Sequence, residues 1–192
     1  MKKIGITGSL ASGKTTASKI LSSRNGPLFS ADKIVRNLYR SKKFKKFVSR
    51  KFGIKNYSNT KKFIKQKIIS NSRNIIKLER IIHPLVRREM YKFLKKNKRK
   101  KFTFLEIPLL IESKLMKNFD VIFFIKAKRR IRLQRFKLKG GDQKIFNLLN
   151  KKQLSDKKKI KYCDHVVVND KNLKMLKKNL LDIFKKYERN FS

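Results

Sequence analysis

The stretch GITGSLASGKTT, residues 5–16, decides the fold of this 192-residue chain. Its core, Gly8-x-x-x-x-Gly13-Lys14-Thr15, is the complete pattern of a phosphate-binding loop, or P-loop. Glycines let backbone N–H groups turn inward around phosphates, and the helix that follows adds its positive N-terminal dipole. Lys14 then reaches the β- and γ-phosphates, and the Thr15 hydroxyl is a ligand for Mg²⁺. The predicted nucleotide-binding residues of the loop are Gly8, Ala11, Ser12, Gly13, Lys14, Thr15 and Thr16.

Short apolar runs alternate with helical periodicity along the rest of the chain. Five strands are predicted, at residues 2–7, 27–32, 101–108, 120–127 and 164–169. The second strand is expected to end in Asp32, and the third contains Glu106 near its end. Residues 33 to about 100 are mostly helical in pattern, and the last 20 or so form an amphipathic helix. Strands separated by helical segments predict an open parallel α/β sheet.

The charge of the chain has two interpretations. It carries 55 Lys and Arg against 12 Asp and Glu, a formal net charge of +43. Such an excess attracts polyphosphates, including nucleic acid, without sequence preference. Lys, Asn, Ile and Phe are also the residues that A/T-rich codons encode, and the basic residues are scattered from end to end. Compositional drift is therefore favoured, and no specific nucleic-acid partner is expected.

Cysteine and hydropathy limit the other classes of function. With a single cysteine, Cys163, no internal disulfide can form, and two distant histidines make a zinc site an unfavoured interpretation. No apolar run approaches the roughly 20 residues that span a bilayer, and the loop begins too early for a signal peptide. We expect a cytoplasmic protein without a membrane partner.

The loop alone leaves several enzyme classes open. A GTPase carries an Asn-Lys-x-Asp motif, which this sequence lacks, and a motor or multi-subunit ATPase is usually longer. A small-molecule kinase needs only the loop, an acceptor pocket and a mobile basic lid, which fit in this length. The alternative from another class is a basic nucleic-acid-binding protein with a vestigial loop. The intact Gly-Lys-Thr triplet and the lack of an aromatic-interleaved RNA-binding motif favour the kinase.

Five segments carry a family resemblance, namely ITGSLASGKTT, SAD at 30–32, LERIIHPLVR at 78–87, PLLIE at 108–112 and CDHVVVN at 163–169. In this order and spacing they closely resemble the dephospho-CoA kinase family over nearly the full length. The resemblance implies ATP- and Mg²⁺-dependent phosphorylation of the ribose 3′-hydroxyl of dephospho-CoA, the last step of coenzyme A biosynthesis. A nucleoside or nucleotide monophosphate kinase is the alternative within enzymes.

The resemblance also implies an architecture. It is a single three-layer α/β/α P-loop kinase domain over residues 1–192, with a five-stranded parallel sheet. A helical acceptor-binding lobe is expected at about 35–100 and a small helical lid at about 130–158. A monomer or a weak homo-oligomer is expected.

Residue roles follow from the resemblance. Asp32 matches the second acid of the family's Asp-Ala-Asp motif and would accept the proton of the acceptor hydroxyl; it also suits a helix N-cap. His83 and Arg87 match the acceptor lobe, where Arg87 would pair with the substrate's pyrophosphate. A packed histidine and one more solvated cation are the alternatives. Glu106 and Pro108 would lie near Mg²⁺ and the acceptor, or simply be buried at a strand end.

The second half of the chain supplies the lid and adenine residues. Arg135 matches a lid arginine that neutralises charge in the transition state. Asn169, which ends the fifth strand, would lie by the adenine. Gln153 and Lys159 match further family positions beyond the lid, and Glu112 matches the third-strand motif.

Four departures from the family pattern stand out. Ser30 replaces the first Asp of Asp-Ala-Asp, and Glu106 replaces a shorter Asp. Lys139 stands where a second lid arginine is expected and offers a point charge instead of a bidentate fork. The family's Asp-Gly-x-Leu-Asp-Arg stretch is poorly matched at residues 57–67. Since the loop, Asp32 and Arg135 remain, we expect an active but slower enzyme.

Overall fold

The structure, a computed structural model, describes residues 1–55 and 58–189, so that Tyr57 at the start of the 57–67 stretch lies outside the described residues. The chain divides into two compact units. The first comprises Met1–Ser30 and Asn97–Ser192, and the second comprises Ala31–Lys96. The sheet belongs to the first unit, and the second unit is helical.

The first unit contains a five-stranded, all-parallel sheet. Its strands are β1 (Lys2–Gly8), β2 (Leu28–Ser30), β3 (Phe102–Glu106), β4 (Val121–Lys126) and β5 (His165–Val168). They lie in the order β2-β3-β1-β4-β5. Because β1 is the central strand, its loop emerges in the middle of the carboxyl edge, where sites of α/β sheets form. The predicted parallel α/β sheet is confirmed.

Helices follow the strands as the sequence predicts. In the described part of the chain they are α1 (Lys14–Ser22), α2 (Ala31–Leu38), α3 (Lys42–Lys51), α4 (Thr60–Ser70), α5 (Arg73–Lys96), α6 (Arg129–Leu138), α7 (Gln143–Lys152), α8 (Asp156–Ile160) and α9 (Leu173–Arg189). A short 3-10 helix covers Met116–Asn118. Within these described residues no helix is both long and apolar enough to cross a bilayer.

The two faces of the sheet are both buried. On one face, α1 and α9 pack against the strands through Ala17, Leu21, Leu176, Leu180 and Phe184. The strand side chains of that cluster are Ile4, Ile6, Phe102, Phe104, Val121, Phe123, Ile125 and Val167. Each fully buried side chain of this size contributes about 1.5–3 kcal/mol. Burial on both faces explains why strands such as VIFFI read as continuous apolar runs.

Side-chain alternation puts Gly5 of β1 toward the opposite face of the sheet from Ile4 and Ile6. A Cβ at Gly5 would lie 3.0 Å from the side chains of both Leu110 and Phe119. The segment after β3 therefore packs tightly on this second face, as a three-layer architecture requires.

The second unit has its own small core. Phe44 and Val48 of α3, Phe52 and Ile64 are buried together. Partly buried apolar residues of α5, among them Leu78, Ile81, Ile82 and Leu85, pack against them. The α5 helix continues through Pro84, although proline cannot donate the backbone hydrogen bond at that turn.

The predicted end of the second strand is wrong in a way that affects the site. The strand expected at 27–32 ends at Ser30, and Asp32 lies in the first turn of α2 instead of at a strand end. Asp is stabilised near a helix N-terminus by the helix dipole, which competes with extension of the strand. The carboxyl end of β2 is therefore occupied by Ser30.

Candidate active site

The loop between β1 and α1 needs glycine at two positions. Gly8 and Gly13 have φ angles of 149° and 98°. A Cβ at Gly8 would collide with the Ile125 carbonyl oxygen, and one at Gly13 would collide with the Asn169 amide. Ala11 also has a positive φ, 58°, in the middle of the loop. The backbone is therefore shaped as a concave turn that opens onto the N-terminus of α1.

Two polar side chains of the loop face inward. The Lys14 side chain is almost entirely buried, and its Nζ donates to the Ser9 carbonyl oxygen at 2.8 Å. The Ser12 hydroxyl is buried and has no hydrogen-bond partner among the described residues. A buried hydroxyl without a partner is costly, so it indicates a place for a ligand oxygen. Thr15 and Thr16, in the first turn of α1, are exposed.

A fully buried carboxylate lies beside the loop. Strand register pairs Ile6 with Glu106 and Ser30 with Glu106, which puts the ends of β1, β3 and β2 side by side. Thr15 Oγ1 donates to Glu106 Oε1 at 2.5 Å, and Ser30 Oγ donates to Glu106 Oε2 at 2.8 Å. Two of the four departures from the family pattern, Ser30 and Glu106, are thus hydrogen-bonded to each other.

Asn169 and Arg135 close the other side of the loop. Asn169, which follows β5 and is buried, donates its Nδ2 to the Ser12 carbonyl oxygen at 2.8 Å. Arg135 Nη2 donates to Asn169 Oδ1 at 3.5 Å. Arg135 Nη1 is buried without a hydrogen-bond partner among the described residues, and lies 3.9 Å from the place of a Cβ at Gly13. An unpartnered guanidinium nitrogen therefore points at the loop.

Further residues brace the edge of the site. The Pro108 carbonyl oxygen accepts a hydrogen bond from Thr7 Oγ1 at 3.2 Å. Glu112 Oε1 forms an ion pair with Lys159 Nζ at 2.6 Å, and the Lys159 side chain is fully buried. Lys139 lies just after α6 and is exposed.

A group of side chains contacts the start of the loop, and of these only Gln153 was identified from the sequence, as a match to a family position. Ser9 Oγ donates to Asp156 Oδ1, and the Leu10 N–H donates to Gln153 Oε1 at 3.1 Å. Arg132 is 6% exposed and donates to the Leu10 carbonyl oxygen at 3.4 Å. Burial lowers the pKa of Arg132, while the Asp156 carboxylate raises it. The one sequence signal for Arg132 is its three-residue spacing from Arg135.

The second unit holds the remaining predicted residues. Asp32 and Arg87 are exposed, and His83 is half-buried on α5. Burial lowers the pKa of His83; Glu79 raises it and Arg87, one helical turn away, lowers it. His83 is therefore mainly neutral at pH 7 and can accept or donate a hydrogen bond.

Arg87 lines a cavity of about 500 Å³ in the second unit. The other lining residues are Pro84, Arg88, Tyr91, Lys92 and Lys95. All six lining residues lie on α5, so this is an open surface pocket, and its four cationic side chains give it a positive potential that attracts anions.

Comparisons with known proteins agree with this geometry. A family model described as dephospho-CoA kinase matches residues 2–175. A dephospho-CoA kinase from Bartonella quintana (strain Toulouse) is 32% identical, with 99% of this chain and 100% of the relative covered. Another, from Fusobacterium nucleatum subsp. nucleatum, is 34% identical, with 97% and 95% covered.

Solved structures are similar in fold. A dephospho-CoA kinase from Campylobacter jejuni matches with a TM-score of 0.68 and 22% identity, and both chains are covered fully. A shikimate kinase from Acinetobacter baumannii, in complex with shikimate, matches with a TM-score of 0.57 and 13% identity, over 99% of this chain and 94% of that one. At these identities the likeness shows a P-loop kinase fold.

Proposed function

The chain belongs to the dephospho-CoA kinase family, and on that premise we propose how its residues carry out the reaction. The enzyme phosphorylates dephospho-CoA with ATP and gives coenzyme A. The finer assignment is that the phosphoryl group goes to the ribose 3′-hydroxyl, as the last step of coenzyme A biosynthesis. The assignment to this site rests on two buried donors at the loop, Ser12 Oγ and Arg135 Nη1 of α6, neither of which has a hydrogen-bond partner among the described residues.

The phosphates of ATP fit the loop. Phosphate oxygens would satisfy the Ser12 hydroxyl and the free nitrogen of Arg135, together with the N–H groups at the start of α1. Lys14 would exchange its bond to the Ser9 carbonyl for the β- and γ-phosphates. Asn169, fixed against Ser12, would border the adenine. These donors stabilise the charge on the transferred phosphoryl group because they are held in place before the reaction.

Thr15 and Glu106 fit a magnesium ion. The described residues contain no cluster of three or more His, Cys, Asp or Glu side chains that could cage a metal. Mg²⁺ in phosphoryl-transfer sites prefers one or two protein oxygens, with phosphates and water as its other ligands. The Thr15 hydroxyl and the adjacent Glu106 carboxylate supply such oxygens. When bound, Mg²⁺ would neutralise negative charge on the phosphates of ATP.

Replacing Glu106 by Gln is expected to weaken Mg²⁺ binding about 10- to 100-fold, because the amide keeps the shape of the side chain but loses its charge. The measurement is the Mg²⁺ concentration needed for half-maximal turnover, and for half-maximal tightening of ATP binding. Thr103→Val is a matched control, because Thr103 is another buried polar residue on β3 and its hydroxyl bonds the Lys2 carbonyl. Unchanged Mg²⁺ dependence in Glu106→Gln would remove Glu106 from the metal site.

The acceptor side of the reaction is assigned to Asp32, His83, Arg87, Glu106 and Pro108. Asp32 accepts the proton of the attacking hydroxyl, for which an exposed carboxylate in the first turn of a helix is accessible. Arg87 pairs with the pyrophosphate of the acceptor, and its cationic cavity supports this role. His83, mainly neutral, orients the substrate by hydrogen bonding. Glu106, at the end of β3, and Pro108, two residues after it, border the acceptor.

The domain roles are part of the same proposal. The helical unit Ala31–Lys96 is the acceptor-binding lobe. The segment at about 130–158, which contains α6 and α7, is the lid. The protein acts in the cytoplasm as a monomer or weak homo-oligomer, without a specific nucleic-acid partner.

The direct experiment is to incubate the purified protein with ATP, Mg²⁺ and dephospho-CoA. Coenzyme A should form, with its new phosphate located at the ribose 3′ position by phosphorus NMR. A phosphate at the 2′ position, or no coenzyme A at all, would contradict the proposed function. Omission of Mg²⁺ serves as the control for metal dependence.

A further inference from the structure

Arg132 is a buried cation with three fixed partners. Its side chain projects from the first turn of α6, and the residue is 6% exposed. Nε donates to the Ala127 carbonyl oxygen at 3.1 Å, and Nη1 donates to Asn150 Oδ1 at 2.7 Å and to the Leu10 carbonyl oxygen at 3.4 Å. A buried guanidinium is tolerated only when acceptors hold it in place, and here they come from three segments of the chain.

One set of contacts joins α6 to α7. Asn150 lies near the end of α7, and the Arg132 guanidinium carbon lies 5.8 Å from the centroid of the Phe146 ring. Phe136 of α6 also contacts Phe146, with ring centroids 5.6 Å apart. The two helices therefore form one packed pair, with Arg132 between them.

The other contact fixes this pair to the nucleotide loop. The carbonyl of Leu10 accepts from Arg132, and its N–H donates to Gln153, which directly follows α7. The N–H and the carbonyl oxygen of Leu10 are thus both hydrogen-bonded to side chains from the segment that contains α6 and α7. The loop and the helix pair cannot move apart unless both bonds break.

Arg135 lies three residues after Arg132 on the same helix. Residues at this spacing share a helix face. Arg132 reaches Leu10 at the start of the loop, and Arg135 reaches Asn169 beside Ser12 and Gly13. Arg135 Nη1 has no hydrogen-bond partner in the part of the chain that the structure describes. Arg132 thus bonds the start of the loop directly, whereas Arg135 lies near the other end of the loop, where it bonds Asn169.

We propose that Arg132 is a positioning residue. It anchors α6 to the Leu10 carbonyl and thereby positions the Arg135 side chain toward the transferred phosphoryl group. The inference rests on the proposed function, since it requires Arg135 to act on ATP. Arg132 itself touches no substrate. Its effect on turnover must therefore pass through Arg135.

The test is a double-mutant cycle with Arg132→Met, Arg135→Ala and the double variant. Arg132→Met is expected to lower kcat about tenfold, with KM for ATP changed less than about twofold. In the Arg135→Ala background the same change should lower kcat by less than about twofold. Arg132→Lys keeps the charge but loses the planar, multidentate guanidinium. Its kcat should lie between those of the wild type and Arg132→Met.

Arg129→Met is the matched control. Arg129 also lies over Phe146, at 5.7 Å, and bonds Asn147 of α7, but it is exposed. Its replacement should leave kcat within about twofold of wild type, while Arg132→Met does not. Melting curves accompany every variant, and where Arg132→Met fails to fold, the cycle is run with Arg132→Lys and is interpreted identically.

Two results would overturn the proposal in an enzyme that forms coenzyme A. One is an equal loss of kcat from the Arg132 change with and without Arg135, which would make the two residues independent. The other is a normal kcat in Arg132→Met. Failure of the wild-type protein to form coenzyme A would instead overturn the proposed function, so the two failures are distinguishable.

Discussion

Asp32→Asn is expected to lower turnover of dephospho-CoA by about 10²–10⁴, the usual loss when an acid–base group is removed. The amide keeps the size of the side chain but cannot take the proton of the attacking hydroxyl. Because Asp32 lies in the first turn of α2 and is exposed, loss of its interaction with the helix dipole should cost about 0.3–1 kcal/mol. ATP affinity should remain near that of the wild type. The measurements are kcat, ATP affinity and a melting curve.

Asp182→Asn is the control for loss of one exposed carboxylate, since Asp182 is exposed on α9, far along the chain from Asp32. It should change neither turnover nor ATP affinity. If Asp32→Asn keeps near-normal turnover but melts earlier, Asp32 only stabilises the start of α2. Glu106 would then be the next candidate for the base.

Lys14→Ala is expected to reduce ATP affinity and turnover together, with turnover lower by about 10²–10³. The physical reason is that Lys14 contacts the phosphates in the ground state and in the transition state. In the structure its Nζ donates to the Ser9 carbonyl, so the change also removes a bond that shapes the loop. The measurement is kcat together with ATP affinity, and this pattern differs from the isolated kcat loss of Asp32→Asn.

Lys19→Ala is the matched control for Lys14, because Lys19 is exposed on the same helix, α1. Both its turnover and its ATP affinity should stay within about twofold of wild type. A Lys14→Ala enzyme that binds ATP normally would show that the loop lysine does not hold the phosphates. The assignment of the nucleotide site to this loop would then need revision.

The sequence predicted the loop well because its geometry is local. Eight residues, Gly8 to Thr15, contain the glycines, the lysine and the helix start that the shape requires. The five strands were equally predictable, since a buried parallel strand needs a continuous apolar run. The expectation that Glu106 and Asn169 lie near the site came from the family resemblance, and the structure puts both residues beside the loop.

The features of the site that the sequence did not predict depend on contacts between residues far apart in the chain. The bond from Ser30 to Glu106 depends on the register of β2 with β3, across 76 residues of chain. Arg132 is one of 55 cations in the sequence, and only the fold distinguishes it by burying it against Leu10. The boundary at Asp32 was misplaced because a first-turn acid and a strand-end acid look alike when the next residues are helical.

The central claim, that this enzyme transfers phosphate from ATP to dephospho-CoA, is tested most directly by competition between acceptors. The protein is incubated with ATP, Mg²⁺ and equal concentrations of dephospho-CoA, AMP, CMP, UMP and free nucleosides, and the products are resolved by mass. Coenzyme A should form far faster than any other phosphorylated product. Equal or faster phosphorylation of any one of the monophosphates would contradict the claim.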